Sequence, residues 1–212
     1  DIFSRVIYGT RVSLVIALMS VTISITCGVA LGVTAAYFGG AYETVVMRLL
    51  DGFMAIPSLL LAISISSALG SGQLQTAIAI AISNIPTFAR VSRASVMTVK
   101  ESEFVEAARS IGARSKRIML KHILPNALAP IFVQATLNIV NAILTIAMLS
   151  FIGLGIEPPT PEWGSMLSQG RAYIRDFWPI VTFPGVMIMV TVISFNMLGD
   201  GLRDALDPRL KR

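Results

Sequence analysis

The chain has 212 residues, 54% of them hydrophobic and 14% charged, with a formal net charge of +5. A mean hydropathy of +0.75 is above what a water-soluble domain of this length exposes, which points to a membrane protein. Few stretches alternate polar with apolar residues, as barrel strands must, so an all-α, polytopic membrane helical bundle is expected; no basic-aromatic module accompanies the positive charge, which argues against nucleic acid as a partner.

The opening, "DIFSRVIYGTRVSL", begins with Asp1 and lacks the charged start, short apolar core and cleavage site of a signal peptide. The first uncharged run, 12–38, reads as one span and stops at Gly39-Gly40. It contains the single cysteine, Cys27, read as a packed structural thiol. A second span, 43–69, has Arg48 and Asp51 three residues apart, close enough to pair. A third, 74–99, contains Pro86 and ends among Arg90, Arg93 and Lys100. The charged segment 100–125 leads to a fourth span, 127–152, with Pro130 in its first turn. A polar, proline-rich loop at 153–178, a fifth span at 180–198 and a hydrophilic tail at 199–212 complete the order. Pro57, Pro86 and Pro184 are expected to kink their spans.

Basic residues orient the bundle. Arg48, Arg90, Arg93, Lys100, Arg109, Arg114, Lys116, Arg117, Lys121, Arg203, Arg209, Lys211 and Arg212 fall on one side, thirteen in all, against Arg5, Arg11, Arg171 and Arg175 on the other. The richer side is expected to be cytoplasmic. That makes the segment 100–125 and the tail cytoplasmic, and the loop 153–178 and the N-terminal residue external. An external start without a signal implies a sixth span upstream of Asp1.

Within "EFVEAARSIGARSKRIMLKHILPN", Phe104, Ala108 and Ile111 lie at i, i+4 and i+7 on one helix face, with Glu103, Glu106 and Arg109 around it. Gly112 ends that helix, and a second basic amphipathic segment runs to Pro125. One reading is an interfacial helix on anionic lipid. The other is docking, with small Ala107 and Ala108 admitting a partner's groove while the charges fix register.

On the fourth span Gln134, Asn138 and Asn141 form a polar face at i, i+4 and i+7. Interhelical hydrogen bonding and pore lining both account for it, and amides suit a conduit for varied polar solutes. Trp163 reads as an interfacial anchor in the external loop. His122 is a lone histidine with no cysteine beside it, so no metal site is expected, and the spans hold no cluster for catalysis. No phosphate-binding G-x-x-x-x-G-K-[ST] loop occurs, so any ATP and Mg would be bound elsewhere and this chain itself is expected to bind no cofactor.

"EAARSIG" followed by "ILP" resembles the E-A-A-x(3)-G-x(9)-I-x-L-P signature of the transmembrane subunits of binding-protein-dependent ABC importers. Glu106, Ala107, Ala108, Gly112, Leu124 and Pro125 match it, while His122 stands where the pattern has isoleucine. "YFGG", "IPSLLLAI", "HILPNALAPI", "LSFIGLGIEPPTPEWGSML" and "GDGLRDALDPRLK" are similar to the dipeptide, oligopeptide and nickel branch of that family. The resemblance implies a bacterial or archaeal plasma-membrane permease with a cytoplasmic coupling helix, Arg109 included, docked on ATPase subunits that bind ATP and Mg. It further implies a second permease subunit, an external solute-binding protein, and a re-entrant segment at the external mouth around Pro161, Glu162, Trp163 and Gly164. Peptides are the first expected cargo and nickel or another small solute the second. A membrane-embedded enzyme and a non-transport scaffold are the competing classes.

Overall fold

The computed structural model describes residues Asp1–Leu206, and every regular element among them is helical: α1 (Ile2–Phe38), α2 (Gly40–Met54), α3 (Ser58–Leu69), α4 (Gln73–Lys100), α5 (Glu103–Ser110), α6 (Ser115–Arg117), a π-helical segment (Ile118–Ile123), α7 (Leu124–Phe151), α8 (Trp163–Gly170), a 3₁₀ turn (Arg171–Tyr173) and α9 (Pro179–Leu206). Arg209, Lys211 and Arg212, assigned above to the basic side, lie outside the described residues. Two compact units result. The first comprises Asp1–Ile23, Pro57–Ser83 and Thr136–Leu198; the second comprises Ser24–Ile56, Asn84–Ala135 and the chain from Gly199 onward.

α1 starts ten residues before the expected Val12. Asp1 explains the early start: one carboxylate oxygen accepts from the Phe3 N–H at 3.0 Å and the other from the Ser4 hydroxyl at 2.7 Å, filling the capping role of a helix start. Arg5 and Arg11 point outward and do not interrupt it. Cys27 is exposed on α1, a correction to its reading as a packed thiol; the neighbouring Gly28 holds the packed face instead. α1 ends where Gly39 and Gly40 take φ of +67° and +59°, a region glycine enters without steric cost.

The second expected span is broken rather than kinked. α2 and α3 meet at 86°, because Pro57 has no N–H to give a helix and forces Ile56 out of helical geometry. The expected Arg48–Asp51 pair is not the one formed. Asp51 pairs with Arg90 and Glu43 with Arg93, which ties α2 to α4 rather than α2 to itself.

α4, by contrast, runs unbroken through Pro86. It meets α1 closely within the second unit: a Cβ added at Gly28 would stand 2.6 Å from Phe88 Cβ, and one at Gly32 would stand 2.3 Å from the Ala89 carbonyl oxygen. Gly28 and Gly32 form a G-x-x-x-G step, which lets two backbones approach.

The fourth span is longer than expected at its front. A single helix, Ser115–Phe151, is continuous across the π-helical segment. In a regular α-helix the ring of Pro125 would collide with the carbonyl of Lys121; the wider π turn, which contains Lys121, opens that space. α9 likewise continues eight residues past Leu198, into the part read as tail.

By length and composition three helices can cross a membrane, Ile2–Phe38, Ser115–Phe151 and Pro179–Leu206, or four if the bent pair α2–α3 is one span. The five spans expected include α4, which falls outside that set because Gln73, Gln75, Asn84, Arg90 and Arg93 dilute its apolar run. It turns Ala77, Ile80, Phe88, Ala89 and Val96 inward.

Candidate functional site

The segment after α4 is built on a small core in the second unit: Val33 and Ala36 of α1, Val96 of α4, Val105 and Ala108 of α5, then Ile118, Ile123 and Ala127. α5 therefore rests on Val105 and Ala108, not on the face of Phe104, Ala108 and Ile111 that periodicity suggested. Phe104 is 45% and Ile111 84% exposed. With Ala107 they form an outward apolar face at i, i+3 and i+7, bordered by exposed Glu103, Glu106 and Arg109. Ala108 is thus committed to the chain's own core and is not open to a partner. Leu124 also packs against this core, while Pro125 is exposed.

α5 is closed by a Schellman cap. Gly112, at φ +78°, donates to the Arg109 carbonyl at 2.9 Å, and Ala113 donates to the Ala108 carbonyl at 3.1 Å. The same unit fixes the other end of the segment through Lys100, whose Nζ donates to the Ala36 and Tyr37 carbonyls at 2.8 Å each. A cation on the last carbonyls of α1 satisfies groups left open by the helix end and meets its negative pole. Arg109 lies 5.8 Å from the centre of the Tyr37 ring, a cation–π contact. A cleft of about 320 Å³ opens here between Ala36, Glu43, Lys100, Glu106 and Arg109.

On α7 the expected polar face divides. Asn138 is 1% exposed, Gln134 half-buried and Asn141 exposed. Thr136, Ile139, Val140, Ala142 and Ile143 are buried around Asn138, so this part of α7 is enclosed on most sides and Asn138 does not face an open surface. The open stripe is Leu137, Asn141, Leu144 and Met148, with Asn141 its polar member. In the first unit an apolar groove of about 520 Å³ continues this stripe, lined by Leu144, Met148 and Phe151 of α7, Leu59 and Ile63 of α3, and Ile188 of α9.

The expected external loop contains α8, and its first residues are interior. Glu162 is 1% and Trp163 0% exposed. The Glu162 carboxylate caps α8, accepting from the Gly164 N–H at 2.9 Å, the Ser165 N–H at 2.8 Å and the Ser13 hydroxyl of α1 at 3.1 Å. Trp163 Nε1 donates to the Val6 carbonyl at 3.1 Å. A Cβ at Gly164 would stand 2.5 Å from Ala147 of α7. Trp163 is therefore no interfacial anchor, and of the four residues assigned to the external mouth only Pro161 retains partial exposure. The exposed aromatics lie downstream, at Tyr173, Phe177 and Trp178.

Not expected from the sequence are the core position of Val105, the Lys100 cap on α1, the Glu43–Arg93 and Asp51–Arg90 pairs, and the close approach at Gly28 and Gly32. Only the last carried a local signal, the G-x-x-x-G spacing inside an apolar run.

The family described as "Binding-protein-dependent transport system inner membrane component" matches residues 28–212. The chain is 49% identical over 211 residues to the di/tripeptide transport system permease protein DppC of Pseudomonas aeruginosa, covering 100% of this chain and 70% of that protein. It is 45% identical over 212 residues to the dipeptide transport system permease protein DppC of Haemophilus influenzae, covering 100% and 72%. The glutathione transport system permease protein GsiD of Pectobacterium atrosepticum is 44% identical over 211 residues, covering 100% and 70%. In fold the chain is similar to an inward-facing structure of the MetNI methionine ABC transporter, with a TM-score of 0.77 at 20% identity over 96% of each chain. With this fold and these matches along its whole length, the chain belongs to the family of binding-protein-dependent transport system inner membrane components.

Proposed function

We propose that this chain is a permease subunit of an ATP-driven importer of di- and tripeptides and forms half of its translocation pathway. The observation that carries the cargo class is 45–49% identity, over the whole chain, to permeases named for dipeptide and di/tripeptide transport. A second permease subunit, as a heterodimer, supplies the other half; an external solute-binding protein delivers the peptide, and cytoplasmic ATPase subunits bind ATP and Mg. The bilayer is crossed five times, with α4 and the bent pair α2–α3 as spans, and the thirteen-to-four basic asymmetry supports a cytoplasmic α5 and C-terminus.

α5 is the coupling helix. Its inner face, Val105 and Ala108, anchors it in the chain's own core, and its outer face, Phe104, Ala107 and Ile111 with Glu106 and Arg109 beside it, meets the ATPase. A helix held by its own core and capped at Gly112 moves with that core, so a closing ATPase can displace the membrane unit rather than peel the helix away. Gln134 and Asn141 line the path; Asn138 has a packing role.

The test is the full transporter in proteoliposomes. Phe104→Ser with Ile111→Ser is expected to leave insertion intact and to weaken ATPase association by about tenfold or more, since buried apolar anchors dominate such interfaces, with dipeptide uptake lost in parallel. Unchanged association and uptake would remove α5 from the coupling role. Uptake of nickel in place of dipeptide by the wild-type complex would overturn the cargo assignment alone.

A further inference from the structure

Within the second unit, α2 is a helix that the chain's own core scarcely holds. Of its fifteen residues only Leu50 is buried, while Val45, Leu49 and Phe53 stand exposed. It is joined to α1 through Gly39 and Gly40, whose positive φ values interrupt the helix, and it ends at the break before Pro57. Tyr42 reaches back to α1, its hydroxyl 3.2 Å from that of Thr34, but this contact is exposed. What fixes α2 against α4 is charge: Glu43 pairs with Arg93 and Asp51 with Arg90.

The two carboxylates stand eight residues apart on α2, about 12 Å at 1.5 Å per residue, and both are met by arginines of α4. An exposed ion pair adds little to stability. Two pairs at separate heights on one rigid helix nonetheless fix its rotation and its register, where a single pair would let it pivot. Glu43 has a second place: it also lines the cleft beside α5, with Lys100, Glu106 and Arg109. The end of α4 leads into α5 through Glu101 and Ser102 alone, and the Ser102 N–H donates to the Val99 carbonyl at 3.1 Å, so the junction is a hydrogen-bonded turn.

We propose that Glu43 and Asp51 are positioning residues for coupling: paired with Arg93 and Arg90, they make α2 follow α4 when α5 is displaced. With α5 as the coupling helix, on which this rests, the load passes from α5 to α4 along the chain and from α4 to α2 across the two pairs. α2 is thus the element that receives the motion. Arg48 lies between the two carboxylates on α2, has no ion pair among the described residues, and takes no part.

The intact transporter in proteoliposomes is assayed for peptide taken up per ATP hydrolysed. Glu43→Arg and Arg93→Glu, each alone, are expected to lower that ratio about tenfold while the ATPase subunits stay bound, and the two together to restore most of it. Glu43→Gln with Asp51→Asn, which keeps the side-chain shapes, serves if a reversal prevents assembly; Arg48→Gln is the matched control and should leave the ratio unchanged. A purely structural role would lower the amount of complex and leave the ratio alone; that result, or an equal loss in Arg48→Gln, would overturn the proposal. A second readout uses spin labels at Val45→Cys and Thr98→Cys, both exposed, with Cys27 replaced by serine. The α2–α4 distance is expected to be the same with and without ATP, and to spread in Glu43→Gln with Asp51→Asn. A distance that changes with ATP while the pairs are intact would show α2 parting from α4 and overturn the proposal. Survival of ATPase association in Phe104→Ser with Ile111→Ser defeats the reading of α5 alone and leaves the distance measurement to decide for α2.

Discussion

Glu162 shows how a single charged residue is made tolerable inside an apolar bundle. Its carboxylate is 1% exposed, yet three donors converge on it, two main-chain N–H groups of α8 and the Ser13 hydroxyl. A carboxylate accepts on both oxygens; an amide accepts on only one. Glu162→Gln is therefore expected to leave one α8 N–H unpaired and to cost about 1–3 kcal/mol, read as a lower unfolding temperature of the purified subunit in detergent. Ser13→Ala should cost less, because the two α8 donors keep their partners. If Glu162→Gln melts like wild type, the cap is not what holds α8. Trp163 repeats the logic with an apolar body and one polar atom: the ring is fully buried and its N–H reaches the Val6 carbonyl, so burial leaves no donor open.

Among elements, the contact of α1 with α4 is the tightest test of packing. Gly32 has the Ala89 carbonyl oxygen 2.3 Å from where a Cβ would stand, and that oxygen belongs to a helix backbone that cannot turn aside. Gly32→Ala is expected to push the helices apart at a cost of about 1–3 kcal/mol, and Gly32→Leu to prevent accumulation of the subunit in the membrane. Gly52→Ala, with nothing within 4 Å of its added Cβ, is the matched control. Normal accumulation of Gly32→Leu would contradict the close approach. The all-helical character is legible in the sequence, because apolar runs and glycine stops are local signals, whereas α8 lies in a stretch that reads as loop. The 86° break at Pro57 was read only as a kink, since one proline announces a disruption without saying how far the chain turns. The choice of Arg90 over Arg48 as partner of Asp51 depends on a helix 39 residues away, which no local spacing can report. The helix α5 is legible as a pattern but its inward face is not: Val105 and Ala108 differ from Phe104 and Ile111 by about one position around α5, and only the core beneath decides which pair is inside.

At the scale of the whole molecule, charge and apolar surface make opposite demands that the bilayer reconciles. α9 leaves Phe183, Val186, Met189, Val190, Ile193 and Met197 exposed, a surface that water would penalise. The orientation proposed from the basic asymmetry has a direct test. With Cys27 replaced by serine, Ser110→Cys and Tyr173→Cys are placed singly in the assembled transporter and treated in intact cells with a membrane-impermeant thiol reagent. Labelling is expected at position 173 alone, with position 110 reacting only after the membrane is opened; the reverse pattern would invert the topology. Both positions are exposed on this chain.

The π-helical segment Ile118–Ile123 also changes how the chain around it is to be projected. One residue of an α-helix corresponds to about 100° of rotation, and a turn that holds one residue in surplus offsets everything after it by that angle. A helical wheel drawn straight through 115–151 is therefore out of phase with itself. Side chains on opposite sides of the segment that share a nominal stripe point in different directions, and the face that starts beside α5 is not the face that crosses the bilayer.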